Sequence, residues 1–209
     1  MTTAPRARSL AILVSGLLAL TAGCRLSYTG GARPVNQSEL DASWLRAAAT
    51  PVVRQRSQSD CGLAALAMIA GAWGHAWTLE ALSRELTPTA KGVKLGALRD
   101  LARQRGLDAY AISGTHEDLQ KELAKGRPVL LGLLLPYESD RALNHYEVAI
   151  AMDPRDGSVV TLDPSSGKHM RRTKQVLEAE WKPGGYPTLV VVGDRAIARG
   201  DAATRRPAR

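Results

Sequence analysis

The pattern of apolar positions changes character near residue 126. Before it, apolar residues return at helical spacing, and after it they come in short continuous runs. Leu66, Ile69, Ala70 and Trp73 follow i, i+3, i+4, i+7 and predict the inner face of a helix over 61–73, with Asp60 as its N-cap and Gly74 as its stop. A second helix is predicted over 78–86. Leu95, Leu98, Leu101 and Ala102 give the buried stripe of a third over 94–105, ended by Gly106, and 107–113 follows as a strand. Thr115 with Asp118 three residues on forms a capping box for a fourth helix, which Gly126 closes.

The runs 128–135, 145–152, 158–162 and 188–192 predict four strands. Pro154-Arg155-Asp156-Gly157 is a turn that joins the second and third as a hairpin. Helices first and an antiparallel sheet second is the order of an α+β fold, not of βαβ alternation. The domain is expected over 51–193, and 209 residues suit one domain of ordinary size.

Residues 1–23 have the three parts of an export signal: Arg6 and Arg8, an uncharged run over 10–20, and small residues before Cys24. Leu20-Thr21-Ala22-Gly23-Cys24 resembles the lipobox of bacterial lipoproteins, with Thr21 where Leu is commonest. The resemblance implies a lipid on Cys24, which then begins the mature chain and holds it on a bilayer surface without spanning it. Arg25, where Asp would stand for inner-membrane retention, resembles an outer-membrane address in a double-membraned bacterium. Residues 24–50, with Gly30-Gly31 and Pro34, read as a tether from which Trp44 and Leu45 dock onto the domain.

Charge then changes the picture little. The 28 basic residues against 20 acidic give +8, but Arg6 and Arg8 belong to the signal and the five arginines of the tail 194–209 account for much of the rest. The folded part is only mildly basic, so a groove for nucleic acid is not indicated, and the tail reads as a solvated end.

The two cysteines, Cys24 and Cys61, cannot pair if Cys24 carries lipid, which leaves Cys61 a lone thiol in an exported protein. Its place in the first turn of an apolar helix favours thiolate, through unpaired N–H groups and the positive end of the helix dipole. A thiol nucleophile needs a base. His75, His116 and His169 read as solvated residues, whereas His145 leads an apolar strand. Asp163 ends the next strand. With the hairpin turn near 155–156, Asp163 faces residue 148 and His145 faces 166, about three residues out of register unless a bulge intervenes. Asp163 is then within range to orient the imidazole. An oxyanion donor could come from Gln55 or from Gln58, together with the Cys61 amide.

Gln55, the following Arg56-Ser57-Gln58-Ser59-Asp60, and Cys61-Gly62-Leu63-Ala64-Ala65-Leu66, with His145-Tyr146 before one strand and Asp163-Pro164 after the next, resemble the bacteriocin-processing, double-glycine leader peptidases. Those are papain-like cysteine peptidases, often fused to peptide-exporting ATP-driven transporters. The resemblance covers about 51–193 and implies a papain-like fold with N-terminal helices packed on a C-terminal antiparallel sheet. It implies Cys61 as nucleophile, His145 as base and then acid, Asp163 as orienter and Gln55, over Gln58, as oxyanion donor. A peptide or protein substrate follows, with a peptide-export transporter as a candidate partner. An export signal sets this chain apart from relatives that work at the cytosolic face, so peptide-bond hydrolysis carries over and double-glycine specificity does not. A non-catalytic peptide-binding module on the same fold and a papain-like amidase on cell-wall peptides are the competing readings. No phosphate loop and no recurring Cys/His spacing occur, so neither nucleotide nor metal is expected as a cofactor.

Overall fold

A computed structural model describes residues 30–138 and 141–194; the expected signal, Cys24 and the basic tail from 195 onward lie outside the described residues. In chain order the helices are α1 (Cys61–Ala72), α2 (Leu79–Glu85), α3 (Leu95–Gln104), α4 (His116–Ala124) and α5 (Lys174–Trp181). The strands are β1 (Arg33–Pro34), β2 (Leu45–Arg46), β3 (Asp108–Ser113), β4 (Val129–Glu138), β5 (Arg141–Met152), β6 (Val159–Asp163), β7 (Lys168–Arg172) and β8 (Pro187–Val192). Among the described residues they form one antiparallel sheet in the order β1-β7-β6-β5-β4-β8-β3, with β2 pairing β5.

Alternation along the strands sends side chains into two cores. Leu130, Val148, Val160, Leu162, Leu189 and Val191 pack against α1, α2 and α3. Val129, Leu131, Leu133, Leu135, Ala149 and Val159 pack against Leu119 and Leu123 of α4 and Leu177 and Trp181 of α5. The expected helices-on-sheet arrangement is observed, with a second helical layer on the other face. Each fully buried aliphatic side chain contributes about 1.5–3 kcal/mol by leaving water.

The local signals act as expected at several ends. Thr115 Oγ1 accepts from Asp118 N (3.0 Å) while Asp118 Oδ2 accepts from Thr115 N (3.1 Å), completing the capping box. At the hairpin turn Gly157 adopts φ +72°, which favours glycine, and Gly157 N donates to Asp153 O (2.9 Å).

Helix α1 departs from the expected stripe. Every residue from Cys61 to Ala70 is buried, because α1 lies between the sheet and α2 and α3, while Pro51 presses on Gly71 where a Cβ would come within 2.3 Å. The tether expected over 24–50 is part of the fold from residue 33 on. Arg33–Pro34 pairs with β7, Leu45–Arg46 with β5, and Val35, Leu40 and Trp44 are buried in the core. The residues around His169, for which no element was expected, form strand β7, and α5 follows it, capped by Thr173.

Candidate active site

The first turn of α1 reaches β5 through a missing side chain. A Cβ on Gly62 would lie 3.0 Å from both Leu98 and the Tyr146 ring, so glycine lets the turn that carries Cys61 sit against the residue next to His145. Cys61 is 4% exposed. Asp60 occupies the N-cap position, but its carboxylate does not cap α1. With φ −106° and ψ 11° instead of extended backbone, it turns back to accept from Ser57 N (3.0 Å) and Arg56 N (3.2 Å). It thereby folds the loop 55–60 onto itself in front of the helix.

That loop is tied to the far side of the site. Gln55 N donates to Pro164 O (2.9 Å) and Arg54 Nη2 to Ser165 O (2.8 Å), just past Asp163. The Gln55 side chain donates from Nε2 to Ser57 O (2.8 Å), and its Oε1 is buried without a partner. Gln58 is exposed.

The base and its orienter meet because β5 carries a bulge. Met152 pairs with Val159 and Ala151 with Val160, but Ala149 pairs with Thr161 and Val148 with Leu162, leaving Ile150 as the extra residue. Carried one step further, this register sets Asp163 beside Glu147, on the same face as His145. Without the bulge Asp163 would face 148 and point to the other face. His145 Nε2 donates to Asp163 Oδ1 at 2.7 Å. Asp163 also accepts from Ser165 N (2.8 Å), Ser166 N (3.1 Å) and Ser166 Oγ (2.6 Å), so its carboxylate is fixed. The Cys61 thiol acts on the imidazole as well and helps to raise it, and with Nε2 taken by Asp163 the other ring nitrogen is Nδ1.

Burial works against charge on His145, but the Asp163 and Cys61 hydrogen bonds and the nearby Glu147 carboxylate outweigh it and raise the imidazole to about 10. Burial likewise opposes charge on Asp163, and its bonds to His145, Ser166 and Ser165 hold it at about 2 all the same. The Tyr146 hydroxyl is pushed up to about 12 by burial and by Cys61.

The structure thus brings Cys61, His145 and Asp163 together. It places Gln55 in the adjoining loop with its donor engaged, and leaves Cys24 outside the described residues. His116 and His169 are half-buried, not solvated: His116 stacks edge-on against Trp181, and His169 Nε2 lies 2.7 Å from Gln37 Nε2. Asp60, expected as a cap, shapes the loop instead, and Glu147, unassigned in the sequence, is wholly buried 4.0 Å from His145 Nε2. The available signal for Glu147 was a charge inside an apolar run, two residues from the base. Donor atoms of His145, Glu147 and Asp163 lie within 4.8 Å of one another, but each already has a protein partner: Asp163 bonds His145, and Arg172 holds Glu147.

The peptidase C39 family model matches residues 49–190. The probable microcin-H47 secretion/processing ATP-binding protein of Escherichia coli is 37% identical over 76 residues, which is 36% of this chain and 11% of that protein. The lactococcin-G-processing and transport ATP-binding protein of Lactococcus lactis subsp. lactis is 28% identical over 131 residues, 62% of this chain and 17% of its own length. The chain therefore matches only a small part of these relatives. The peptidase domain of Streptococcus ComA, a bi-functional ABC transporter involved in a quorum sensing pathway, superposes with a TM-score of 0.57 at 20% identity, covering 70% of this chain and 100% of that domain. A double glycine motif protease from an AMS/PCAT transporter, solved with its leader peptide, gives 0.56 at 19% identity over 76% of this chain and 96% of its own. The two solved domains show the fold, and with most of the folded region matched by the family model, the chain belongs to the peptidase C39 family.

Proposed function

We propose that this chain is a lipid-anchored cysteine peptidase of the cell envelope, held by an acylated Cys24, that hydrolyses peptide bonds through Cys61, His145 and Asp163. The observation that carries the reading is the buried Cys61–His145–Asp163 relay, with the imidazole at about 10 and Asp163 bonded to Nε2 at 2.7 Å. The Cys61 proton passes to His145 Nδ1, and the thiolate attacks the substrate carbonyl carbon. The oxyanion that forms is met by the Cys61 amide, one of the first-turn N–H groups without a helical carbonyl partner, and by Gln55 Nε2 once it releases Ser57 O. His145 gives its proton to the leaving amine, and the C–N bond breaks to leave a thioester on Cys61. Water, deprotonated by the same imidazole, then attacks the thioester; the acid departs and the sulfur regains its proton. Asp163 keeps the ring's tautomer and plane throughout.

The substrate class is a peptide or protein segment. The relatives that process microcin and lactococcin support a secreted peptide as substrate and a peptide-export transporter as a separate partner chain. In a double-membraned cell, Arg25 after Cys24 supports an outer-membrane position facing the periplasm over the inner membrane.

The test is alkylation of the full chain with iodoacetamide from pH 4 to 9, read at Cys61 by peptide mass, beside His145→Ala. Rapid labelling below pH 7 that is lost in the variant is the expected result. Labelling that rises only above about pH 8, equally in both, sinks the catalytic reading. Metabolic labelling with an alkyne fatty acid, abolished in Cys24→Ser, tests the anchor separately.

A further inference from the structure

A group of buried charges adjoins the proposed relay without belonging to it. Glu147 and Arg172 are both almost wholly buried, and Arg172 Nη1 donates to Glu147 Oε2 (2.7 Å) and Nη2 to Oε1 (2.8 Å), a two-pronged clamp. Thr161 Oγ1 donates to Glu147 Oε2 as well. On its other side, Arg172 Nε donates to Glu180 Oε2 (2.7 Å) from α5, and Glu180 Oε1 accepts from Gly31 N (2.5 Å).

Arg172 is shared between two buried carboxylates, Glu147 and Glu180, and buried ion pairs are seldom a net source of stability. What the clamp does achieve is to fix Glu147 Oε1 at 4.0 Å from His145 Nε2, too far for a hydrogen bond and near enough for charge to act in a dry interior. The imidazole thus faces Asp163 from β6, Glu147 from its own strand and Cys61 from α1, with Tyr146 beside it and Arg172 behind Glu147.

We propose that Glu147 is a positioning residue of the peptidase reaction: locked by Arg172 and Thr161, its carboxylate lies beside the His145 ring as a second negative charge and holds the imidazolium while Cys61 is a thiolate. The inference rests on the proposed role of His145 as base. Its consequence is a division of labour. Asp163 sets the orientation of the ring through a hydrogen bond that also favours its proton, and Glu147, which does not bond the ring, extends the pH range over which that proton is kept. The direction of the His145 shift, to which the Glu147 charge contributes, agrees with this.

The experiment is a titration of His145 in the full chain with 15N-labelled histidine, pH 5 to 11, in wild type, Glu147→Gln, Glu147→Asp and Glu180→Gln, with Cys61 alkylation measured on the same samples. The expected result is a His145 midpoint lower by one pH unit or more in Glu147→Gln, an intermediate value in Glu147→Asp and no change in Glu180→Gln. The alkaline limb of any peptidase activity moves with the midpoint. A buried acid with a merely structural role would lower the melting temperature in both Glu variants and leave the His145 midpoint in place, and that result overturns the proposal. If Glu147→Gln does not fold, Glu147→Asp decides: a lowered midpoint supports the inference and an unmoved one overturns it. A wild-type His145 midpoint near 6.5, with ordinary thiol labelling, overturns the peptidase reading and this inference together. A raised wild-type midpoint that Glu147→Gln does not move overturns this inference alone.

Discussion

The hairpin of β5 and β6 carries an aspartate held at about 2 at each end, and the two do different work. At the turn, Asp153 accepts from Arg155 Nη2 (2.6 Å) and Nε (2.8 Å); at the open end, Asp163 accepts from His145 Nε2 (2.7 Å). The first pair is a clasp that shapes a turn: its cation is a guanidinium that keeps its charge at every pH the fold survives. The second has a cation that can give up its proton. A depressed carboxylate alone therefore does not mark a chemical site. The partner's ability to change charge does, and the burial that makes the change costly.

The comparison breaks most completely at His145. His145→Ala takes away the cation of the open-end pair that can change its charge, and turnover falls to background while the turn at Asp153 is kept. Peptide hydrolysis and thiol labelling measure this. Asp163→Asn, which keeps the shape and loses the charge, is expected to lower kcat/KM by up to about 10⁴-fold. Gln55→Ala is expected to lower kcat by about 10²–10³-fold with KM little changed; an unaltered kcat would assign the oxyanion to backbone amides alone.

Stability against pH sharpens the contrast at smaller scale. Both aspartates have folded values below the ordinary carboxylate range, so each contributes stability that is present above about pH 4 and is lost as the pH falls toward 2. His145 is raised, so its contribution is full below about 6.5 and is lost as the pH rises through about 10. Thermal melts should show the acid limb moved by Asp153→Asn and Asp163→Asn alike, and the alkaline limb moved only by changes at the open end. The smallest effect is expected of Asp153→Asn on catalysis: kcat/KM unchanged, with a lower melting temperature.

What could be read in the sequence follows from how far each signal reaches. Caps act within four residues, so Thr115 with Asp118 and the stops at Gly106 and Gly126 were legible, as were Cys61 at a helix start and His145 and Asp163 at strand ends. The bulge at Ile150 was not, since nothing in an apolar run distinguishes an extra residue from an ordinary one. Strand β7 escaped for another reason. Its inward residues are Met170 and Arg172, and a buried arginine among exposed basic residues reads as a solvated turn until Glu147 and Glu180 are brought to it from elsewhere in the chain. Two-residue strands such as β1 and β2 have no period to detect, and α1, legible as a helix, is buried on every side and not along the expected stripe.

The bond from Gly31 N to Glu180 fixes where the domain's leash starts. If Cys24 carries the lipid, Gly31 follows it by seven residues, a stretch of chain that can span at most about 25 Å. A tether free up to Pro51 would reach about 90 Å. On the proposed anchoring, the shorter leash would confine the enzyme to a layer about one domain deep above the lipid, and its substrates would be drawn from peptides emerging at that surface and not from the bulk of the compartment. Lengthening the linker before Gly31 with Gly-Ser repeats would widen that layer without touching the site.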